Sequence, residues 1–310
     1  MPFLGRSLLD TRTLSRTEVE AIFSRAELLA RSLHDGAFRA MRAPVVCCLF
    51  FEPSTRTRMS FQMASYRLGL EVLTMELSAG SSLSKGETLS DTVLNFAAMK
   101  PDVLVVRYGQ STELDELLPH LGIPVINAGS GTMAHPTQGL LDSYTLQREW
   151  GALGGKRVLI FGDVRHSRVA RSNFDLLSRL GAEVGACGPA PMLPSPEQMP
   201  GVRVFETLEE ALPWADACMG LRIQLERHAS KELDVSAASE YHARYGLNSQ
   251  RLALLRPDAL ILHPGPINYG LEFSSEVIRD GRSRVLAQVA NGVVIRAALL
   301  SLILGLEVGT

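Results

Sequence analysis

Several features that would assign a function at once are missing from this 310-residue sequence. Its formal net charge is −2, from 31 basic and 33 acidic side chains, so no overall positive field attracts nucleic acid or anionic lipid. The longest apolar runs, such as residues 45–51, fall far short of the ~20 residues that cross a bilayer. The first dozen residues lack the continuous apolar core of a secretory leader. We therefore expect a cytoplasmic protein that binds neither nucleic acid nor membrane.

Cysteine is also scarce, and the common chemical motifs are absent. The four cysteines at positions 47, 48, 187 and 218 form no Cys-x-x-Cys pair, so we expect reduced core residues. No His-Glu-x-x-His motif or close His/Cys cluster occurs, which predicts no metal and no cofactor. The turn Gly162-Asp163-Val164-Arg165 departs from Gly-x-Gly-x-x-Gly, and no Gly-x-Ser-x-Gly elbow occurs. Dinucleotide, ATP and serine-hydrolase chemistry are therefore disfavoured.

Short apolar runs alternate with helical patterns along the whole chain. The runs cover residues 45–51, 72–75, 103–107 and 124–127, and then 158–161, 184–187, 202–205, 217–221 and 260–262. This rhythm predicts an α/β protein with two doubly wound parallel-sheet domains. A glycine-rich joint at 150–155 divides them into domains 1–150 and 151–310. A final apolar stretch, about 284–305, predicts a C-terminal helix that packs back on the first domain.

The most informative segment is the strand-to-helix corner Ser54-Thr55-Arg56-Thr57-Arg58. The following helix has a predicted apolar face of Met59, Met63, Tyr66 and Leu70. A first helical turn offers unpaired N–H groups and a positive dipole end, to which this corner adds hydroxyl and guanidinium groups. Ser54 or Thr55 could simply cap the helix, but capping does not explain two arginines, each of which opposes the dipole by ~0.3–1 kcal/mol. The corner therefore predicts an anion site, with phosphate as its natural ligand.

Together with His135-Pro136-Thr137-Gln138, this corner resembles the carbamoyltransferase family. The resemblance spans nearly the whole chain and includes residues 85–92, 162–173, 222–227 and 263–266. It implies transfer of the carbamoyl group of carbamoyl phosphate to an amine, through a tetrahedral intermediate and without a covalent enzyme intermediate.

Two segments bear on the amine acceptor. Residues 263–266 read His-Pro-Gly-Pro, where ornithine-using members should show His-Cys-Leu-Pro, and the ornithine loop Asp-x-x-x-Ser-Met-Gly is missing. Arg222 with Gln224 suits a dicarboxylate and would repel the ammonium group of ornithine. The resemblance thus implies L-aspartate as acceptor and N-carbamoyl-L-aspartate as product, a step of pyrimidine biosynthesis. Two alternatives remain open: another amine such as ornithine, or a non-catalytic assembly subunit.

The resemblance also assigns residues to roles. It implies that carbamoyl phosphate is bound by Ser54, Thr55, Arg56, Thr57, Ser81, Lys85, Arg107, His135, Gln138, Gly265 and Pro266. Within that set the implied catalytic residues are Arg56, Thr57, Lys85, Arg107, His135 and Gln138. Aspartate is expected at Lys85, Arg168, Arg222 and Gln224, and Glu52 and Arg227 are expected to brace the closed domains.

Several of these assignments have competing interpretations. His135 could be a core histidine, Arg168 a solvated helix residue, and Ser82 could replace Ser81. Tyr108 and Tyr269 depart from the histidine and arginine that the family usually has at those positions.

The small, polar segment of residues 79–85 is suited to a mobile loop. In the family this loop reaches the neighbouring subunit, which implies a homotrimer with shared active sites. Higher assembly with a regulatory chain or dihydroorotase is left open by the sequence.

Overall fold

The computed structural model describes residue 3 and residues 5–32, 43–76, 86–131, 133–223 and 235–307. The chain divides into two compact units, one formed by Met1–Tyr144 with Val289–Thr310 and the other by Thr145–Gln288. Ser81, Ser82, Lys85, Gln224 and Arg227 lie outside the described residues.

Unit 1 is built on a four-stranded parallel sheet with strand order β2-β1-β3-β4. Its strands are β1 (Val45–Phe50), β2 (Glu71–Glu76), β3 (Val103–Tyr108) and β4 (Val125–Ser130). Its helices are α1 (Arg16–Ser32), α2 (Thr55–Arg67), α3 (Leu89–Ala98) and α4 (Thr112–Leu117), and α5 (Pro136–Trp150) begins in this unit. The order reverses between β1 and β3, and doubly wound sheets bind ligands beyond the strand ends at such a point.

Unit 2 contains a five-stranded parallel sheet with strand order β7-β6-β5-β8-β9. The strands are β5 (Arg157–Phe161), β6 (Glu183–Cys187), β7 (Arg203–Phe205), β8 (Ala217–Gly220) and β9 (Leu260–Leu262). The helices are α6 (Arg168–Arg179), α7 (Leu208–Ala211), α8 (Val235–Tyr245) and α9 (Ser249–Leu252). Here the order reverses between β5 and β8, which makes the segments after these two strands the expected ligand-binding ones.

The last helix, α10 (Val285–Ile303), returns to the first unit. Its residues Ile295, Ala298 and Leu299 are fully buried, and the carbonyl of Ile303 accepts a hydrogen bond from the N–H of Gly5 at 3.0 Å. By length and composition α10 could cross a membrane, but two thirds of it is buried within the protein, as in a core helix. The predicted fold class, two parallel-sheet α/β domains with a returning C-terminal helix, is confirmed.

One local prediction is confirmed and one is wrong. All four cysteines are free and buried, and burial raises the pKa of the Cys47 thiol to about 11. Ser15 and Glu18 form a capping box at the start of α1, because Ser15 N–H donates to Glu18 Oε2 at 2.7 Å and Glu18 N–H donates to Ser15 Oγ at 3.2 Å.

The predicted apolar face of α2 is not the face that packs on the sheet. Met59, Met63 and Tyr66 are 50%, 41% and 80% exposed, and of the predicted face only Leu70, beyond the helix end, is buried. The buried face instead carries Phe61 and the small residues Ala64 and Ser65, which allow close approach of the helix to the sheet. Hydrophobicity alone could not identify this face, because large apolar side chains occupy the opposite one.

Candidate active site

The strand-to-helix corner of unit 1 presents its donors as an anion site requires. Ser54 is the N-cap of α2, yet its side chain makes no capping hydrogen bond, so the simple capping interpretation does not hold for Ser54. The first helical bond runs from Arg58 N–H to the Ser54 carbonyl at 3.1 Å. The N–H groups of residues 55–57 therefore come before the first hydrogen bond of the helix, in the part of a first turn that can donate to an anion. Thr55 and Arg56 are exposed and Thr57 is buried, so the corner combines an accessible cation with a buried hydroxyl.

A buried cation stands beside this corner, at the point where the strand order reverses. Arg107 lies in β3 next to β1, and its carbonyl accepts from Phe51 N–H at 2.7 Å. Its Nη1 donates to the carbonyl of Ala128 at 3.1 Å, and its Nη2 lies 3.7 Å from Glu52 Oε2. These contacts hold the guanidinium at the carboxyl ends of the two strands. Glu52 is thus next to Arg107, while its predicted counterpart Arg227 lies outside the described residues.

The start of α5 brings two more predicted residues to unit 1. His135 is buried directly before the helix, and its carbonyl accepts from Gln138 N–H at 2.9 Å. The side-chain Nε2 of Gln138 donates to Asp142 Oδ1 at 2.8 Å. An ionised carboxylate only accepts hydrogen bonds, so this contact assigns the amide orientation and directs Oε1 of Gln138 away from Asp142.

The loop before His135 is held by Asn127, a polar residue at the end of a predicted strand, to which the sequence assigned no role. Asn127 in β4 is buried; its Oδ1 accepts from Gly129 N–H at 2.7 Å, and its Nδ2 donates to Ser130 Oγ at 3.0 Å and to the Leu9 carbonyl at 2.8 Å. The only available signal was its place at the end of an apolar run.

In unit 2, Arg168 begins α6 behind the turn that follows β5. Ser167 caps this helix by accepting from Ala170 N–H at 3.1 Å, which sets the position of the next residue. Arg168 is buried, so it is not the solvated helix residue of the alternative interpretation. Within the turn, the buried Asp163 carboxylate lies 2.8 Å from Nδ1 of His166.

Arg222 and the Gly265-Pro266 pair follow the neighbouring strands β8 and β9. The N–H of Leu221 donates to the Phe161 carbonyl at 2.9 Å, which places the segment after β8 alongside the end of β5. The Gly265-Pro266 bond is cis, and Gly265 N–H donates to Nδ1 of His263 at 2.9 Å. Arg168 and Arg222 therefore follow the two strands between which the order of this sheet reverses.

The two departures from the family pattern differ in their surroundings. Tyr108 is buried and its hydroxyl donates to Asp115 Oδ1 at 2.5 Å, and burial raises its pKa. Tyr269 is mostly exposed. Among the residues that the structure describes, no group of three or more His, Cys, Asp or Glu side chains could hold a metal ion.

Comparison with known proteins places both halves of the chain. Residues 6–148 match the profile for the aspartate/ornithine carbamoyltransferase carbamoyl-P binding domain, and residues 154–303 match that for the Asp/Orn binding domain. The aspartate carbamoyltransferase catalytic subunit of Maricaulis maris is 46% identical over 304 residues, covering 97% of this chain and 94% of the relative. That of Solibacter usitatus is 45% identical over 304 residues, covering 96% and 99%.

Solved structures agree over the same length. Aspartate transcarbamoylase from Trypanosoma cruzi, in complex with carbamoyl aspartate and phosphate, superposes with a TM-score of 0.85 at 28% identity, covering 98% of this chain and 97% of that one. Ornithine carbamoyltransferase from Pyrococcus furiosus superposes with a TM-score of 0.84 at 25% identity, covering 98% and 99%. The chain belongs to the aspartate/ornithine carbamoyltransferase family.

Proposed function

We propose that this chain is an aspartate carbamoyltransferase catalytic subunit, which converts carbamoyl phosphate and L-aspartate into N-carbamoyl-L-aspartate and phosphate. The observation that carries this conclusion is 45–46% identity, over nearly the full length, to catalytic subunits of that name. The fold by itself does not choose the acceptor, because the ornithine enzyme superposes almost equally well. This reaction is a step of pyrimidine biosynthesis, as the family resemblance implies.

The phosphate of the donor binds at the corner before α2. The N–H groups of its first turn, the hydroxyls of Ser54, Thr55 and Thr57, and the guanidinium of Arg56 supply donors to the phosphate oxygens. Lys85 adds a further cation to this phosphate, as the family resemblance implies.

The carbamoyl group is polarised by fixed donors. Thr57, Arg107 and His135 donate to the carbonyl oxygen, on which negative charge develops as the amine attacks. Arg107 is well suited to this, because its contacts with Ala128 and Glu52 hold it in place before the substrate arrives. The Oε1 of Gln138, turned away from Asp142, accepts from the carbamoyl N–H₂.

The acceptor is held through its carboxylates. Arg168 and Arg222 bind the two carboxylates of L-aspartate, with Gln224 and Lys85 as further ligands and the backbone at Gly265 and Pro266 near the amine. The uncharged amine attacks the carbonyl carbon to form a tetrahedral intermediate. The bond from that carbon to the phosphate oxygen then breaks, and the proton lost by the amine leaves on phosphate.

Steady-state carbamoylation tests this proposal. Purified protein is given carbamoyl phosphate and either L-aspartate or L-ornithine, without added metal, and carbamoylated product and phosphate are measured. Product from aspartate alone is expected, and turnover of ornithine alone would refute the acceptor assignment. Arg56→Ala should lower activity at least ~10²-fold, the scale for losing one positioned charge-stabilising donor. The exposed Arg16, paired with Glu20 on α1, supplies the matched control Arg16→Ala, which should retain wild-type activity.

The proposal extends to a cytoplasmic homotrimer with shared active sites. The exposed side chains of Met59, Met63 and Tyr66 form an apolar stripe on α2 that a neighbouring subunit would cover. Leu73 on the edge strand β2 is 54% exposed and adds a further apolar side chain to this surface. Gln62 connects α2 to that strand, because its Nε2 donates to Thr74 Oγ1 at 3.0 Å. Free cysteines at all four positions suit a reducing compartment.

Subunit exchange tests the shared sites. Lys85→Ala and Arg56→Ala proteins, each inactive alone, should regain part of the activity when mixed, because some mixed sites would contain neither substitution. No recovery despite verified exchange would refute sharing. Light scattering of the wild-type protein should give the mass of a trimer or of an assembly of trimers, and a fully active monomer would refute the trimer.

A further inference from the structure

A buried carboxylate in unit 2 joins the two loops that carry the predicted acceptor site. Glu272 is 1% exposed. Its Oε1 accepts from the Ile223 N–H at 2.7 Å and from Asn268 Nδ2 at 2.8 Å, and its Oε2 accepts from the Asn268 N–H at 2.7 Å. Burial raises the pKa of this carboxyl, while the three hydrogen bonds act in the opposite direction.

The partners of Glu272 lie in the two loops that carry the predicted acceptor ligands. Ile223 directly follows Arg222 in the segment after β8, and Asn268 follows Pro266 in the loop after β9. These two strands are neighbours in the sheet. Asn268 Nδ2 also lies 3.3 Å from the Ile223 carbonyl, so both the carboxylate and the amide span the gap between the loops.

We propose that Glu272 is a positioning residue that fixes Arg222 for the acceptor carboxylate by tying its backbone to the loop that follows Pro266. The inference rests on the proposed function, since it concerns the aspartate site of that reaction. Glu272 acts through the backbone next to Arg222 and makes no contact with substrate itself.

A carboxylate is required at this position because all three partners are donors. The two oxygens of Glu272 face two backbone N–H groups and one side-chain amide. A glutamine has the same shape, but its N–H₂ group would face at least one donor in either orientation, so a hydrogen bond is lost without any change in volume. An aspartate is one methylene shorter and does not reach both loops.

The test is Glu272→Gln, with Glu276→Gln as the matched control. Glu276 lies four residues further along in an exposed position, where it accepts from Ser249 Oγ at 2.6 Å. Displacement of a substrate-binding group by about 1 Å costs on the order of 10²-fold. We therefore expect the KM for L-aspartate to rise about ten- to hundredfold in Glu272→Gln, and to stay at the wild-type value in Glu276→Gln.

Binding of inorganic phosphate separates positioning from general disruption. Phosphate binds to unit 1, so its Kd, measured by calorimetry, should stay within about twofold of wild type if Glu272 acts only on the loops of unit 2. A wild-type KM for aspartate in Glu272→Gln would overturn the inference, as would an equal loss of phosphate affinity. A wild-type protein that does not carbamoylate aspartate would instead overturn the proposed function, and the inference with it.

A second variant keeps the test decisive if Glu272→Gln does not fold. Asn268→Ala retains the carboxylate and removes the amide that bridges the loops. It should raise the KM for aspartate in the same direction, by a smaller factor, with unchanged phosphate affinity. An unchanged KM in this variant would overturn the inference.

Discussion

Replacement of Arg296 by methionine should destabilise the protein far more than the same change at the surface. Arg296 lies in α10 and is 3% exposed. Its Nη1 donates to Ser60 Oγ at 2.8 Å and its Nη2 to Thr137 Oγ1 at 3.3 Å, while its Cζ lies 5.2 Å from the ring centroid of Phe61. The guanidinium therefore joins α10 to α2 and α5, the two helices whose first turns carry the predicted phosphate and carbonyl ligands.

The expected magnitude follows from the hydrogen bonds that the substitution removes. Burial lowers the pKa of Arg296 to about 10, although the charge of Asp142 acts in the opposite direction, so the side chain stays protonated at neutral pH. Asp142 is fully buried. The two hydrogen bonds from the charged guanidinium contribute about 1.5–3 kcal/mol each, so their loss costs about 3–5 kcal/mol, with the 3.3 Å bond to Thr137 as the weaker one. Methionine fills most of the volume, which separates this effect from that of a cavity.

Urea unfolding at pH 7, followed by circular dichroism, measures the loss. We expect Arg296→Met to lower the free energy of unfolding by about 3–5 kcal/mol, and Arg16→Met, which breaks an exposed pair with Glu20 in the same unit, by less than about 0.5 kcal/mol. The double variant Arg296→Met/Asp142→Asn should lose less than the sum of the two single changes, because the attraction between the two charges is removed only once. A loss below about 1 kcal/mol in Arg296→Met, or strict additivity, would refute the reasoning.

Two further predictions concern unit 2. A Cβ at Gly220 would stand 2.4 Å from Cε1 of the fully buried Phe273, so Gly220→Ala should cost about 1–3 kcal/mol in thermal unfolding, whereas Gly281→Ala, with open space around its Cβ, should be nearly neutral. Equal melting temperatures for the two variants would contradict the packing argument. The hydrogen bond from Arg282 lowers the pKa of Asp280 from 3.8 to about 2, so this carboxylate stabilises the folded state above pH ~4 and loses that effect as the pH falls toward 2. Asp280→Asn should therefore be less stable by about 1–2 kcal/mol at pH 7, with a gap that narrows below pH 4, and a gap independent of pH would argue against this role.

The elements near the site were predictable because their signals are local. The apolar run at 103–107 corresponds to β3 (Val103–Tyr108), and the predicted terminal helix at about 284–305 corresponds to α10 (Val285–Ile303). The corner at 54–58 was identifiable for the same reason, since a buried strand, a cluster of hydroxyls and two arginines at a helix start occur within a few residues. Such patterns depend on backbone geometry over one or two turns, and no distant contact is needed to recognise them.

The residues that support the site were not predictable in this way. Nothing near Glu272 in the sequence indicates that it meets Ile223, which is 49 positions away along the chain. Arg296 stands alone in an apolar helix, and its partners on α2 and α5 are known only once the helix has returned to unit 1. In each case the sequence shows the charged residue, but it does not show which distant residue lies against it.

The sequence by itself thus determined the α/β class, the anion-binding corner and the family, because strand and helix periods, helix-start chemistry and motif spacing are properties of short segments. Only the tertiary structure decided that Phe61 rather than Met59 faces the sheet, that Arg168 is buried, and that Glu272 and Arg296 join segments distant in the chain. These features depend on which segments come into contact once the strand order in each sheet is fixed. Those contacts determine which side chains are buried, which charges are paired and how closely the side chains pack.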